Sequence, residues 1–142
     1  MILVDVNILI YSVNADSILH AKAKNWLGHV IGGPEIVGFS WSVLIGFLRL
    51  TTRAGLFREP LTVSNALEIV VNWLDQPSTE IVNPGYRHFA ILHELLSAVG
   101  TGGNLTSDAH LAALTIEHGA RLFSTDRDFA RFPSLRWANP LE

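Results

Sequence analysis

Two periods of hydrophobic spacing alternate along the chain. Residues 1 to 5 (Met1-Ile2-Leu3-Val4-Asp5) form a short apolar run closed by a carboxylate and read as a strand. Leu19, Ala23, Trp26, Leu27 and Val30 then recur at helical spacing until Gly32-Gly33-Pro34 stops the pattern. Glu35 to Phe39 is a second strand candidate, and Ser40 or Ser42 suits the cap of a helix over about Trp41 to Arg53. That helix is apolar almost all round: Trp41, Leu44, Ile45 and Leu48 lie on one stripe, Val43, Phe47 and Leu50 on another, so two faces need partners. A further helix spans about Val63 to Leu74 and ends at Gln76-Pro77, and a strand follows over Thr79 to Val82. Phe89, Leu92, Leu96 and Val99 define the core face of the next helix. After the Gly100 to Gly103 break comes the stripe Leu105, Ala109, Ala112, Ile116, with Thr106 or Ser107 as cap and Gly119 as stop. Strand Arg121 to Thr125, a turn over Asp126 to Phe132 and a last strand near Leu135 to Trp137 complete the pattern.

Strands that alternate with helices imply an α/β fold: a three-layer α/β/α sandwich around a mostly parallel central sheet. At 142 residues and 49% apolar content, residues 1–142 suit one domain with a sizeable core. The absence of cysteine removes disulfides and thiolate zinc sites and fits a reducing, cytoplasmic setting. The opening residues lack a basic segment followed by a long apolar one, so they read as a strand of the fold rather than a signal peptide. The longest apolar stretch, Ile36 to Leu48, is short for a membrane span and is interrupted by Gly38, Ser40, Ser42 and Gly46, so no membrane partner is expected. A net charge of −3 argues against a broadly basic nucleic-acid surface while leaving room for a local basic rim.

Candidate chemistry gathers on aspartates. Asp5 follows the first strand, Asp126 follows the strand beginning at Arg121, and Asp108 stands near the mouth of the helix that begins at Leu105. Carboxyl ends of parallel strands share one edge of a sheet, so these residues can meet although they lie far apart in sequence. Converging carboxylates repel one another unless a hard divalent cation holds them. Each has a simpler reading as well: Asp5 suits the cap of a helix beginning near Asn7, Asp108 favours a helix N-terminus by charge, and Asp126 or Asp128 suits a turn. Together they point to Mg²⁺ or Mn²⁺ and to metal-assisted hydrolysis of a phosphodiester, with Asp5, Asp108 and Asp126 as ligands. Asn7 suits the orientation of a carboxylate or a water, and Thr125 or Ser124 suits the hold on a water or phosphate. The six histidines show no metal-ligand spacing, the Gly100 to Gly103 loop lacks the Lys-Ser/Thr of a phosphate loop, and no Gly-x-Ser-x-Gly elbow is present.

Four segments carry a family resemblance: Ile2-Leu-Val-Asp5-Val-Asn7, Trp41-Ser-Val-Leu-Ile-Gly46-Phe-Leu-Arg49, Asn104-Leu-Thr-Ser-Asp108-Ala-His-Leu-Ala-Ala-Leu114, and Gly119-Ala-Arg-Leu-Phe-Ser-Thr125-Asp126-Arg-Asp128-Phe129. In that order, over nearly the whole chain, they resemble PIN-domain proteins of the VapC type, the toxins of bacterial toxin–antitoxin pairs. The resemblance implies a Mg²⁺- or Mn²⁺-dependent endoribonuclease that cuts single-stranded RNA, forms a homodimer and is neutralised by a cognate antitoxin. It places Asp5, Asp108 and Asp126 on three of the family's acidic positions and Asp128 on a more variable one. One departure stands out: many relatives carry glutamate where this chain has Gly46. That implies either fewer carboxylate ligands or a weakened site, and with it a rival reading as a catalytically weakened module acting by RNA or partner binding. A dehalogenase-like phosphohydrolase would need Asp-x-Asp after the first strand, where this chain has Asp5-Val6-Asn7.

Overall fold

The structure is a computed structural model that describes residues 1–142. Its elements run β1 (Ile2–Val4), α1 (Val6–Val13), α2 (His20–Ile31), β2 (Val37–Ser40), α3 (Trp41–Thr52), α4 (Val63–Leu74), β3 (Thr79–Val82), α5 (His88–Val99), α6 (Leu105–Glu117), β4 (Arg121–Phe123), a short 3₁₀ helix (Arg127–Arg131) and β5 (Trp137–Ala138). The five strands form one sheet in the order β3-β2-β1-β4-β5, and every pairing is parallel. Ile2 stands opposite Val37 on one side and Arg121 on the other, which fixes β1 at the centre.

The connections step outward from β1 to β2 to β3, then return across the sheet to β4. Right-handed crossovers therefore place α1 to α4 over one face and the α5–α6 pair over the other. The packing agrees: α1 lies against α2 and α3, α3 against α4, α5 against α6, and α6 against β4. This is the expected three-layer α/β fold. Because β1 leads toward β2 and β4 leads the opposite way toward β5, the crevice at the carboxyl ends of β1 and β4 is the topological switch point of the sheet. Central burial accounts for the composition of β1, whose three residues are at most 4% exposed, since a strand covered on both faces needs no polar alternation.

Several sequence expectations need correction. The first strand ends at Val4, and Asp5 caps α1, the helix near Asn7 that its simpler reading named although no hydrophobic stripe marked it; its side chain accepts from the Val6 N–H. Ile8, Leu9 and Ile10 are all buried, so α1 shows no polar face for a period to reveal. Ser40 caps α3 as expected, accepting from the Val43 N–H at 3.2 Å. Neither Thr106 nor Ser107 caps α6: the helix begins at Leu105 behind Asn104, with no side-chain cap bond. In α5 Leu95 is buried and Leu92, Leu96 and Val99 pack half-buried against the core as expected, whereas Phe89, in the first turn, is 74% exposed. Strand β4 stops at Phe123, and β5 lies at Trp137–Ala138 rather than Leu135 to Trp137, since Leu122 and Phe123 pair with those two residues. Gly119 does end α6, just past His118, with φ of 62° in the left-handed region that favours glycine. The end of α6 is also tied to the entry of α5: the Glu117 carboxylate accepts the N–H groups of Gly85 at 2.6 Å and Arg87 at 3.0 Å.

Candidate active site

Asp5 leaves the centre of the sheet with its backbone still bound to the neighbouring strand, its N–H donating to the Phe123 carbonyl at 3.0 Å. Its side chain is 9% exposed and fully partnered. Oδ1 accepts from the Val6 N–H at 2.7 Å, while Oδ2 accepts from Ser124 Oγ at 2.7 Å and Asn7 Nδ2 at 3.1 Å. Ser124, fully buried one residue past β4, is the hub: its Oγ also accepts from Asn7 Nδ2 at 3.0 Å and from the Asp126 N–H at 3.0 Å. These bonds join the ends of β1 and β4, so the turn carrying Asp126 is fixed relative to Asp5.

Asp126 in turn caps the 3₁₀ helix, accepting the Asp128 N–H at 2.9 Å, which brings Asp128 back toward the crevice. Asp108 arrives from the other layer, in the first turn of α6. Carboxylate oxygens of Asp108, Asp126 and Asp128 all lie within 4.8 Å of one another, a spacing that one cation can bridge. Asp5 adjoins this trio without belonging to the closest set. Its pKa is pushed up, first by burial, then by the Asp126 charge, against the lowering effect of the Ser124 and Val6 hydrogen bonds. The Asp108 carboxyl is raised from 3.8 to about 6, first by burial and then by the charges of Asp126, Asp5 and Asp128. Such a cluster is electrostatically incomplete by itself, and four carboxylates with hard oxygen donors fit a Mg²⁺- or Mn²⁺-sized ion.

Asn7 holds Asp5, as its position suggested, and its Oδ1 accepts the Thr125 N–H at 3.4 Å. Thr125 thus contributes through its backbone, while the adjacent hydroxyl of Ser124 makes the side-chain contacts. The signal for Ser124 was strand alternation: two residues beyond the core residue Leu122, it points to the same side. His110, two residues past Asp108, bonds instead to His88, Nδ1 to Nε2 at 2.9 Å, and its pKa is lowered by burial and then by that second ring. Beside Asp5 and Asp108 opens a cavity of about 200 Å³ whose lining includes Gly46, Arg49 and Ser107. A larger hollow, about 380 Å³, lies between Leu27, Ile31 and Trp73 and has no carboxylate in its wall.

A five-strand parallel sheet with carboxylates gathered at its switch point defines an α/β protein with an acidic, metal-binding type of site, and comparison with known proteins gives the family. The PIN domain family model matches residues 2–135. Ribonuclease VapC37 of Mycobacterium tuberculosis is 47% identical over 140 residues, covering 99% of this chain and 97% of the relative. The chain belongs to the PIN domain family, on its VapC branch. Among solved structures, VapBC2 from Rickettsia felis bound to a promoter DNA fragment matches with a TM-score of 0.71 at 20% identity, covering 98% of each chain. A toxin–antitoxin complex from Klebsiella pneumoniae matches with a TM-score of 0.64 at 17% identity, covering 99% of this chain and 98% of the other. At those identities the likeness concerns the fold.

Proposed function

We propose that this protein is a Mg²⁺- or Mn²⁺-dependent endoribonuclease of the toxin type, cutting single-stranded RNA and neutralised by a cognate antitoxin. The observation that carries this reading is the meeting of Asp108, Asp126 and Asp128 within 4.8 Å of one another, beside a buried Asp5, at the switch point of the sheet. Membership of a family whose relative VapC37 is a ribonuclease supports RNA as substrate. Asp5, Asp108 and Asp126 would hold the ion, with Asp128 as a further donor. Once bound, the ion supplies Lewis-acid polarisation of a phosphodiester and a lowered pKa for an attacking water.

The chain's own groups do the positioning. Ser124 and Asn7 lock the Asp5 carboxylate in one orientation, and the Asp126 N–H bond to Ser124 fixes the neighbouring turn. Burial and then the charges of Asp126, Asp5 and Asp128 raise the Asp108 pKa, and a cation would relieve that repulsion, which supports metal binding at the cluster. For assembly, an exposed apolar band on α3 and α4, including Trp41, Ile45, Val63, Leu67 and Val71, supports a homodimer or antitoxin contact. No helix is long and apolar enough to cross a membrane. An RNA substrate and a cysteine-free chain support a cytoplasmic place of action.

The deciding experiment is RNA cleavage in Mg²⁺, Mn²⁺ and EDTA by wild type, Asp5→Asn and Asp108→Asn. Supporting groups alone typically contribute 10- to 100-fold at metal sites, so loss of a ligand should lower cleavage by about a hundredfold or more with folding retained. Full activity in both variants defeats the proposal. Gly46 favours the rival reading of a catalytically weakened module, because no carboxylate stands at that wall of the site. If that reading holds, wild type binds RNA without cutting it, and Gly46→Glu gains Mn²⁺-dependent cleavage.

A further inference from the structure

The cavity beside the carboxylates is shaped by one residue. Ser42, Gly46 and Arg49 stand at i, i+4 and i+7 on α3 and share the helix face that lines it. At Gly46 an added Cβ would meet only Val6 Cγ2, at 3.6 Å, which is ordinary contact distance. Glycine there is therefore required by neither close packing nor the helical backbone, and in a helix interior it is unfavourable by about 1 kcal/mol relative to alanine. What glycine leaves is space: about 200 Å³ next to Asp5 and Asp108. The apolar walls come from Val6, Val43, Leu50 and Leu111. Arg49 borders the cavity, is exposed, and takes no part in the four ion pairs of the chain.

Asp5 and Asp108 line the cavity on the side of the carboxylate cluster, while its remaining walls, apolar between Ser42, Arg49 and Ser107, do not suit a phosphate alone. They suit a flat ring, with polar edges met by the exposed Ser42 and Ser107 hydroxyls, and with an adjacent anion met by a guanidinium. The volume is below the roughly 300–1,000 Å³ of pockets for drug-sized ligands, so it admits one ring system and not two. We propose that the Gly46 cavity is a nucleobase subsite for the RNA unit flanking the scissile phosphate, with Arg49 binding that unit's phosphate. This rests on the endoribonuclease reading of the neighbouring carboxylates and adds the element that selects sequence. Base selection then depends on a pocket one residue wide, and Gly46 is its specificity-determining position.

Binding without cleavage tests it. Fluorescein-labelled oligo(A), oligo(C) and oligo(U) octamers are titrated in EDTA, with fluorescence anisotropy as the readout, against wild type, Gly46→Leu, Gly46→Ala and Arg49→Ala. Wild type should prefer one base at least fivefold. Gly46→Leu should weaken that oligonucleotide by tenfold or more and level the preference, while Gly46→Ala gives an intermediate loss and serves as the folded control if the larger side chain is not accommodated. Arg49→Ala should reduce the slope of log K against log salt by about 0.7, the value for one phosphate contact on a single strand. Binding by Gly46→Leu or Gly46→Ala within twofold of wild type for all three oligonucleotides overturns the subsite. A wild type that shows the base preference but never cuts in Mn²⁺ upholds the pocket and sinks the nuclease reading. One that cuts in Mn²⁺ without any base preference in binding does the reverse.

Discussion

Asp108 carries its charge at a disadvantage, and that disadvantage should be measurable. Its folded pKa of about 6 lies above the ordinary 3.8, so between those values the native state binds more protons than the unfolded one. By linkage, stability of the metal-free protein then falls as pH rises from about 4 to 6 and stays lower above that window. Asp108→Asn removes the penalty. Because the side chain is half exposed, solvent screening limits the gain to about 1 kcal/mol in EDTA at pH 7, read from urea melts. The same variant should lose the stabilisation that Mn²⁺ gives wild type; a variant less stable than wild type in EDTA would show that Asp108 is held by bonds rather than strained by neighbours. Ser124→Ala has the opposite sign. It removes the donor to the buried Asp5 carboxylate and the acceptor for Asn7 and the Asp126 N–H. Leaving those groups without partners costs about 2–3 kcal/mol and pushes the Asp5 pKa further up. Ser124→Thr, which keeps the hydroxyl, should recover part of the loss.

At the scale of elements, what the chain disclosed depended on how each element is covered. Helix α3 and strand β3 appear where spacing put them, because a serine cap and a proline stop are local signals. Helix α1 was legible only through its cap, the reading of Asp5 before a helix near Asn7, because its apolar residues meet neighbours on more than one side and leave no period to detect. Helix α6, by contrast, was legible: Leu105, Ala109 and Ala112 of its stripe are buried while Thr106 and Ser107 face outward. The gathering of Asp5, Asp108 and Asp126 at one sheet edge was legible from their places after strands and near a helix mouth, and Asp128 entered through the family likeness. Their spacing was not legible, since the return of Asp128 depends on a cap bond and the Ser124 hub on contacts over 119 residues. Another such bond ties α5 to α6, and it is testable at Gly85. A Cβ there would come within 2.7 Å of Glu117 Oε2, so Gly85→Ala must displace the carboxylate from the Gly85 and Arg87 amides. Loss of these charge-assisted bonds should cost about 1–3 kcal/mol and loosen the helix that carries Asp108. Faster hydrogen exchange confined to the start of α5 and the end of α6 would check this, and unchanged exchange there would refute it.

For the whole molecule, the site is where the two halves of the fold are fastened together. Asp5 joins β1 to α1 and so belongs to the half that carries α1 to α4, whereas Asp108, Asp126 and Asp128 come after the chain has returned across the sheet. The hydrophobic core runs without a break between them, from Ile2 in β1 to Phe129 and Phe132 beyond β4. A cation bound at the cluster therefore stabilises the assembled molecule and not one half of it. An ion that binds only the native state adds about 2.7 kcal/mol at a hundred times its dissociation constant. For a chain of this size that corresponds to a rise in melting temperature of about 5–11 °C, within a single transition. Calorimetry in EDTA and in saturating Mn²⁺ should show one peak in each condition, displaced upward by the metal. Asp5→Asn and Asp126→Asn, altered on opposite sides of the switch point, should each reduce the displacement. Two separable peaks, or a metal-induced shift in only one of them, would mean that the halves fold independently and that the carboxylates are brought together by chance rather than by the cooperative core.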